Sequence, residues 1–138
     1  MSARDIFHNA VKQALIKENW RITHDPYHLD LGGVEMYVDL GAEQLIAAQR
    51  EDVKIAVEVK TFIRASNIHE FHNAVGQFMN YRLALRQIEA ERTIYLAIPD
   101  DIYNIFFKLE FIQLAIQDYD LKILVFEPEE EAILAWIK

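Results

Sequence analysis

The sequence predicts an α/β (α+β) domain of three layers, in which a central mixed β-sheet is flanked by helices and the chain ends in a β-hairpin. The first observation is the order of the patterns: a helix, three or four strands, a long helix, a strand, short helices and two closing strands. The second is composition, since 52% apolar and 26% charged residues are typical of globular proteins. The third is length, because 138 residues suit a single domain spanning residues 1–138.

The first half of the chain is predicted to hold one helix followed by strands. The helix covers residues 3–18, where apolar side chains recur at helical spacing and Asp5 suits the first turn. Turns are expected around 24–27 and 31–33, where Pro and Gly interrupt the pattern. The strands are expected at 20–23, 34–40, 44–49 and 53–62. The third of these is either a separate strand or a continuation past a bulge near Gly41, and residues 50–52 form a polar turn.

The second half begins with a long helix whose N-cap is Ser66 or Asn67 and which runs to about Gln87. A strand at 92–99 follows and ends at a proline, and one or two short helices are expected within 100–118. The final two strands, at 121–127 and 132–138, form a hairpin around an acidic turn.

Charge and cysteine content exclude several function classes. The absence of cysteine excludes disulfides, thiolate metal sites and a cysteine nucleophile. The net charge of −8 is unfavourable for unassisted binding to nucleic acid, which needs basic surface. Neither a signal-peptide pattern nor an apolar run of membrane-spanning length is present, so a soluble cytoplasmic protein without membrane contact is expected.

The strand predicted at 53–62 carries two charged residues in an apolar setting. Side chains alternate along a strand, so Glu58 and Lys60 share one face, while Ile55 and Val57 point to the other. Charged groups in such a place usually have an ion-pair or hydrogen-bond partner, or a functional role. A surface ion pair, or a charged edge strand that resists aggregation, is the structural alternative.

Two acids precede this strand and either can come near Glu58 if 44–49 pairs with 53–60. They are Asp39 and Glu43, and the sequence leaves the choice between them open. Two carboxylates and a backbone carbonyl form a hard-oxygen site suited to Mg²⁺ or Mn²⁺. Such an ion would stabilise phosphate charge and activate water. Lys60 would then orient that water or offset phosphate charge.

The long helix carries Gln77 and Tyr81, which are four residues apart and share a face. Both side chains are able to hydrogen-bond to a metal-bound water or to a backbone phosphate. An ordinary amphipathic helix with a polar flank is the structural alternative.

This set of residues resembles the PD-(D/E)xK nuclease superfamily. The shared pattern is an acid, then Glu58-x-Lys60 on the next strand, then the Gln77-x-x-x-Tyr81 seen on a helix of its RecB-like members. The resemblance implies a restriction-endonuclease-like fold and phosphodiester hydrolysis, with Asp39, Glu58, Lys60, Gln77 and Tyr81 as catalytic residues. Where many members have a proline before the acid, this chain has valine.

Over residues 3–103 the chain also resembles the XisH family of fdxN element excision controlling factor proteins. The matching segments are ARDIFHNAVKQALIKENW, ITHDPYHL, YVDLGAEQLIAAQ, KIAVEVKTF, FHNAVGQFMNYRLAL and RTIYLAIPDDIY. The resemblance implies control of the excision of a DNA element during heterocyst development, the XisI protein as partner, and a separate site-specific recombinase that cuts and joins the DNA.

Two function classes follow from these resemblances. In the first, the chain is a Mg²⁺-dependent nuclease, which the acid, Glu-x-Lys and Gln-x-x-x-Tyr set favours. In the second, it is a non-catalytic controlling factor that binds XisI, the recombinase, or DNA brought by a partner, which the acidic balance favours. The oligomeric state stays open, with a homo-oligomer among the alternatives.

Overall fold

The structure is a computed structural model that describes residues 3–44, 53–62 and 66–138. Within these ranges, the α-helices are α1 (Ala3–Lys17), α2 (Asn67–Ile88), α3 (Asp100–Ile105) and α4 (Glu110–Asp118), and a 3₁₀ turn at Phe106–Lys108 separates the last two. The strands are β1 (Arg21–His24), β2 (Tyr27–Leu31), β3 (Val34–Val38), β4 (Leu40–Gln44), β5 (Val53–Val59), β6 (Arg92–Pro99), β7 (Ile123–Glu127) and β8 (Ala132–Ile137). No helix of the described ranges combines the length and the apolar character that crossing a membrane requires.

The strands form one six-stranded sheet in the order β1-β4-β5-β6-β7-β8 and a separate two-stranded sheet of β2 and β3. The pairs β5–β6 and β6–β7 are parallel, whereas the other pairs are antiparallel. Parallel neighbours need a crossover connection, and α2 and the α3–α4 segment occupy the two connections. The predicted mixed sheet, its flanking helices and the C-terminal hairpin are confirmed.

The large sheet is covered on both faces, which gives the three predicted layers. On one face α1 packs through Ala10, Val11 and Leu15 in a core cluster that includes Ile55 and Val57 of β5. On the other face a second cluster joins buried side chains of α2, α4 and the 3₁₀ turn to Ala56 of β5. Because side chains alternate along β5, Glu58 faces the α2 layer, as Ala56 does.

Local sequence signals predicted the ends of α2 and β6 to within one residue. The Ser66 hydroxyl accepts from the His69 N–H at 3.3 Å, which confirms Ser66 as the N-cap of α2. The helix extends to Ile88, one residue beyond the predicted end, and β6 covers the predicted residues 92–99.

The segment before Asp39 departs from the prediction. The structure forms β2 between the two expected turns, because Tyr27 and Leu29 alternate with exposed residues and bury one side of the β2–β3 hairpin against the α2 core. The predicted strand 34–40 is divided at Asp39 into β3 and β4. Of the strand predicted at 44–49, Gln44 is the last residue of β4, whereas residues 45–49 and the predicted turn at 50–52 lie outside the described ranges.

Candidate functional site

Asp39 and Glu58 meet where β4 and β5 pair. Leu40 is opposite Val57 in this antiparallel pair, which places Asp39, one residue before β4 begins, beside Glu58. The main-chain N–H of Asp39 donates to Glu58 Oε1 at 3.2 Å. In return, Asp39 Oδ2 accepts from the main-chain N–H of Val59 at 2.8 Å. Each carboxylate is therefore held by the backbone of the other segment.

Lys60 completes this group from the end of the same strand. Its Nζ lies 3.3 Å from Glu58 Oε2, and the two side chains are 18% and 8% exposed, respectively. The main-chain N–H of Lys60 donates to the carbonyl of Ala97 at 3.0 Å, which continues the parallel pairing of β5 with β6. The three residues therefore gather at the carboxyl end of a parallel pair, the edge at which open α/β sheets place their ligands.

The ionisation of Glu58 is governed by its burial and by the charges beside it. Burial and the negative charge of Asp39 together raise the pKa of the Glu58 carboxyl to about 7, although the Lys60 ammonium opposes the rise. Near neutral pH, Glu58 is therefore divided between its acid and carboxylate forms. A divalent cation between the two carboxylates would favour the ionised form of both.

The donor set fits Mg²⁺ better than a metal that requires several side-chain ligands. Across the described residues, no group of three or more His, Asp or Glu side chains is arranged to hold a metal ion. The site offers two carboxylates from Asp39 and Glu58. Mg²⁺ commonly binds through one or two carboxylates and keeps several of its waters, so this pair is sufficient for it.

Glu43, the alternative acid, lies elsewhere. It is opposite Lys54 in the β4–β5 register, three steps from the pair formed by Leu40 and Val57. Its carboxylate lies 3.3 Å from Arg92 and 2.9 Å from Arg21. The structure therefore brings Asp39, and not Glu43, to Glu58.

Tyr81 of α2 forms a hydrogen bond close to Asp39, whereas no described hydrogen bond joins Gln77 to the acids. The Tyr81 hydroxyl donates to the carbonyl of Tyr37 at 3.2 Å, so it holds the end of β3 two residues before Asp39. Gln77 lies one helical turn before Tyr81, and its Oε1 is buried without a hydrogen-bond partner among the described residues. The described hydrogen bonds do not join Gln77 to Asp39, Glu58 or Lys60. An unpaired buried acceptor costs about 1–3 kcal/mol, so this oxygen is suited to accept from a bound water or ligand.

A buried charge network that the sequence analysis did not anticipate lies at the amino end of β6. Arg92 is 4% exposed and donates to Glu89 at 2.6 Å and to the carbonyl of Ile55 at 2.8 Å. Tyr27 lies under its guanidinium at 4.7 Å and donates its hydroxyl to Glu89 at 2.6 Å. The hydrogen bond from Arg92 is the main cause that lowers the pKa of Glu89 to about 2. The one sequence signal for this network is an arginine that opens an otherwise apolar strand.

Comparisons with known proteins agree with this fold. The XisH protein family model matches residues 1–134. The crystal structure of an XisH family protein from Nostoc punctiforme PCC 73102 superposes with a TM-score of 0.88 at 46% identity, covering 97% of this chain and 100% of that one. An fdxN element excision controlling factor protein from Anabaena variabilis is also 46% identical, with a TM-score of 0.88 over 98% of this chain and 100% of that chain. No curated protein matches this chain significantly. With a family model matching nearly its whole length and two closely similar crystal structures, this chain belongs to the XisH family.

Proposed function

We propose that this chain controls the excision of a DNA element, as the name of its Anabaena variabilis relative states for that protein, and that it does so by Mg²⁺-dependent hydrolysis of DNA phosphodiester bonds. One observation carries the catalytic part of the proposal. The carboxylates of Asp39 and Glu58 converge with the ammonium of Lys60 at the carboxyl end of β5. The restriction-endonuclease-like character of the fold and membership of the PD-(D/E)xK superfamily belong to the same proposal.

Each residue has a defined task in this chemistry. Asp39 and Glu58 would hold Mg²⁺, and a bound ion would supply charge stabilisation at the phosphate and activation of water. Lys60 lies against Glu58 and presents an ammonium that orients the attacking water and offsets phosphate charge. Tyr81 fixes the chain just before Asp39 through the carbonyl of Tyr37, and Gln77 offers a buried acceptor one turn away.

A second function class is favoured by the way in which the acids are packed. Glu58 is 6% exposed, and its two oxygens already have partners in the Asp39 N–H and the Lys60 ammonium. The chain also has a net charge of −8, which opposes unassisted approach of DNA. In this alternative the domain is a non-catalytic controlling factor that acts through XisI or the recombinase, and Lys60 is a structural counter-ion for Glu58.

Calorimetric titration with Mg²⁺ and Mn²⁺ separates the two classes. The wild type, Glu58→Gln and Glu43→Gln are compared, each alone and with XisI, after circular dichroism has verified that each variant is folded. The catalytic proposal expects saturable binding that is lost in Glu58→Gln and kept in Glu43→Gln. Cleavage of linear and branched DNA by the metal-loaded protein, with and without XisI, then tests hydrolysis itself. Absence of metal binding under both conditions would leave the non-catalytic class.

A further inference from the structure

A second polar cleft opens on the α2 side of the sheet, at the amino end of β6. Its volume is about 210 Å³, and its walls come from α2, β6 and the segment that leads into β7. The charged side chains around it are mostly basic. Arg82 and Arg86 come from α2 and Lys122 from the segment before β7, whereas Asp120 is the acid that faces them.

The positive charges of this cleft are poorly neutralised. Arg82 is fixed by main-chain carbonyls, those of Tyr119 at 2.9 Å and Asp120 at 3.2 Å, and by no carboxylate of the described residues. Arg86 is exposed and has neither an ion pair nor a hydrogen bond within the described ranges. Lys122 Nζ lies 3.7 Å from the Asp120 carboxylate, whose side chain is 74% exposed. Three cations therefore face one loosely held acid.

Arg92 also borders the cleft, but its side chain is hydrogen-bonded within the fold. Its guanidinium donates to Glu89, to Glu43 and to the carbonyls of Ala42 and Ile55, so its donors are already used inside the fold. Arg92 is consequently a structural residue, and the free donors of the cleft belong to Arg86 and Lys122.

The placement of Arg82 and Arg86 has an energetic consequence. They are four residues apart on α2, and like charges at this spacing destabilise a helix by a few tenths of a kcal/mol. The dipole at the end of α2 favours a cation at Arg86 but supplies no partner for its guanidinium. An anion between the two side chains and Lys122 would relieve this repulsion and satisfy the free donors.

We propose that this cleft binds a phosphate group. Arginine guanidinium groups match the geometry of phosphate oxygens, and lysine adds a compact positive charge. The apolar walls, which include Phe78 and Ile94, restrict the cleft to a small ligand such as pyrophosphate or the terminal phosphate of a nucleic acid strand.

This cleft is separate from the candidate site at Glu58. In the parallel register Lys54 is opposite Arg92, whereas Glu58 is opposite Leu96. Four residues along a strand span about 13 Å. The proposal therefore does not depend on metal binding at Asp39 and Glu58.

Calorimetry in EDTA, without divalent cations, tests the cleft alone. The probes are pyrophosphate and a short single-stranded oligonucleotide with or without a 5′-phosphate. The variant Arg86→Gln/Lys122→Gln removes the free donors, and Lys108→Gln/Lys138→Gln removes the same charge from exposed positions outside the cleft. We expect binding of at least one phosphate probe to weaken by about tenfold or more in the first variant and to be retained in the second.

The outcomes also identify the source of the phosphate. Binding of pyrophosphate alone indicates a free phosphorylated ligand, and binding that requires the 5′-phosphate of the oligonucleotide indicates a strand end. The single variant Arg86→Gln, whose side chain makes no hydrogen bond in the described structure, serves if the double variant fails to fold. The proposal is overturned if no probe binds the wild type, or if its affinity is independent of Arg86 and Lys122.

Discussion

Asp39 and Glu58 hold each other through the main chain, since the Asp39 N–H donates to the Glu58 carboxylate and the Asp39 carboxylate accepts from the residue after Glu58. This exchange fixes the half-buried Asp39 beside the buried Glu58. It therefore links the ionisation of Glu58 to stability, to cation binding and to the proposed chemistry.

Replacement of Glu58 by glutamine should remove a pH dependence of stability. The folded-state pKa of Glu58 is about 7, against an ordinary value of 4.5, so the native protein binds more protons than the unfolded chain between these values. The wild-type free energy of unfolding should consequently fall as pH rises through this window, by about 3 kcal/mol. Urea unfolding between pH 4.5 and 8 without divalent cations measures the effect. Equal slopes in the wild type and Glu58→Gln would contradict the raised pKa.

Mg²⁺ binding should strengthen with pH. The ion requires ionised Glu58, whose pKa is about 7, so binding below that pH must displace a proton. We expect the affinity to rise by up to about tenfold per pH unit below the pKa and to level off above it. Calorimetry in two buffers with different ionisation enthalpies counts the released protons. Binding that shows no proton release at pH 6 would place the ion away from Glu58.

Replacement of Lys60 by methionine should separate chemistry from metal binding. The ammonium that orients water and offsets phosphate charge is lost, so we expect hydrolysis to fall by about 10²-fold or more. Metal binding should persist above neutral pH, although loss of Lys60 raises the pKa of Glu58 further. Lys54→Met is the matched control, because Lys54 lies on the same face of β5 but is paired with Glu89. A similar decrease in both variants would mean that the loss is not specific to Lys60.

Replacement of Arg92 by methionine should destabilise the fold strongly. Removing one partner of a buried ion pair costs about 3–5 kcal/mol. Loss of the guanidinium also leaves the carbonyl of Ile55 without its donor, while Glu89 and Glu43 keep Lys54 and Arg21 as partners. Chemical denaturation measures the change in the free energy of unfolding. Arg86→Met is the control, since this exposed arginine has no described partner. The control should alter stability by less than about 0.5 kcal/mol. If Arg92→Met proved as mild as the control, the network would not be a main support of the sheet.

The elements that the sequence predicted well are those with strong local signals. Ser66 precedes a long helical pattern and its hydroxyl caps that helix, while Pro99 ends an apolar run that forms β6. The strand β2 was missed because its few residues lie between two turn signals, and its alternation is short. Its stability comes from packing of Tyr27 and Leu29 in the core, which no local pattern reports.

The candidate site was predictable in its residue types but not in its pairing. Alternation along β5 places Glu58 and Lys60 on one face, and this required no tertiary information. The choice between Asp39 and Glu43 depended on the register of β4 against β5, since Glu43 is opposite Lys54 and not Glu58 in the pairing that forms. The burial of Arg92 likewise depends on three strands and a helix meeting around it, so its role emerges only from the assembled sheet.

The pairing of β5 on both edges determines how long the arrangement of Asp39 and Glu58 stays intact. This strand is hydrogen-bonded to β4 on one side and to β6 on the other. In addition, the Arg92 side chain hydrogen-bonds to its amino end and the Asp39 side chain to its carboxyl end. Strands buried in this way open only when the whole domain unfolds. The main-chain amides of β5 should therefore be among the slowest in the protein to exchange with deuterium. The meeting of Asp39 with Glu58 would then persist through every local fluctuation of the native state.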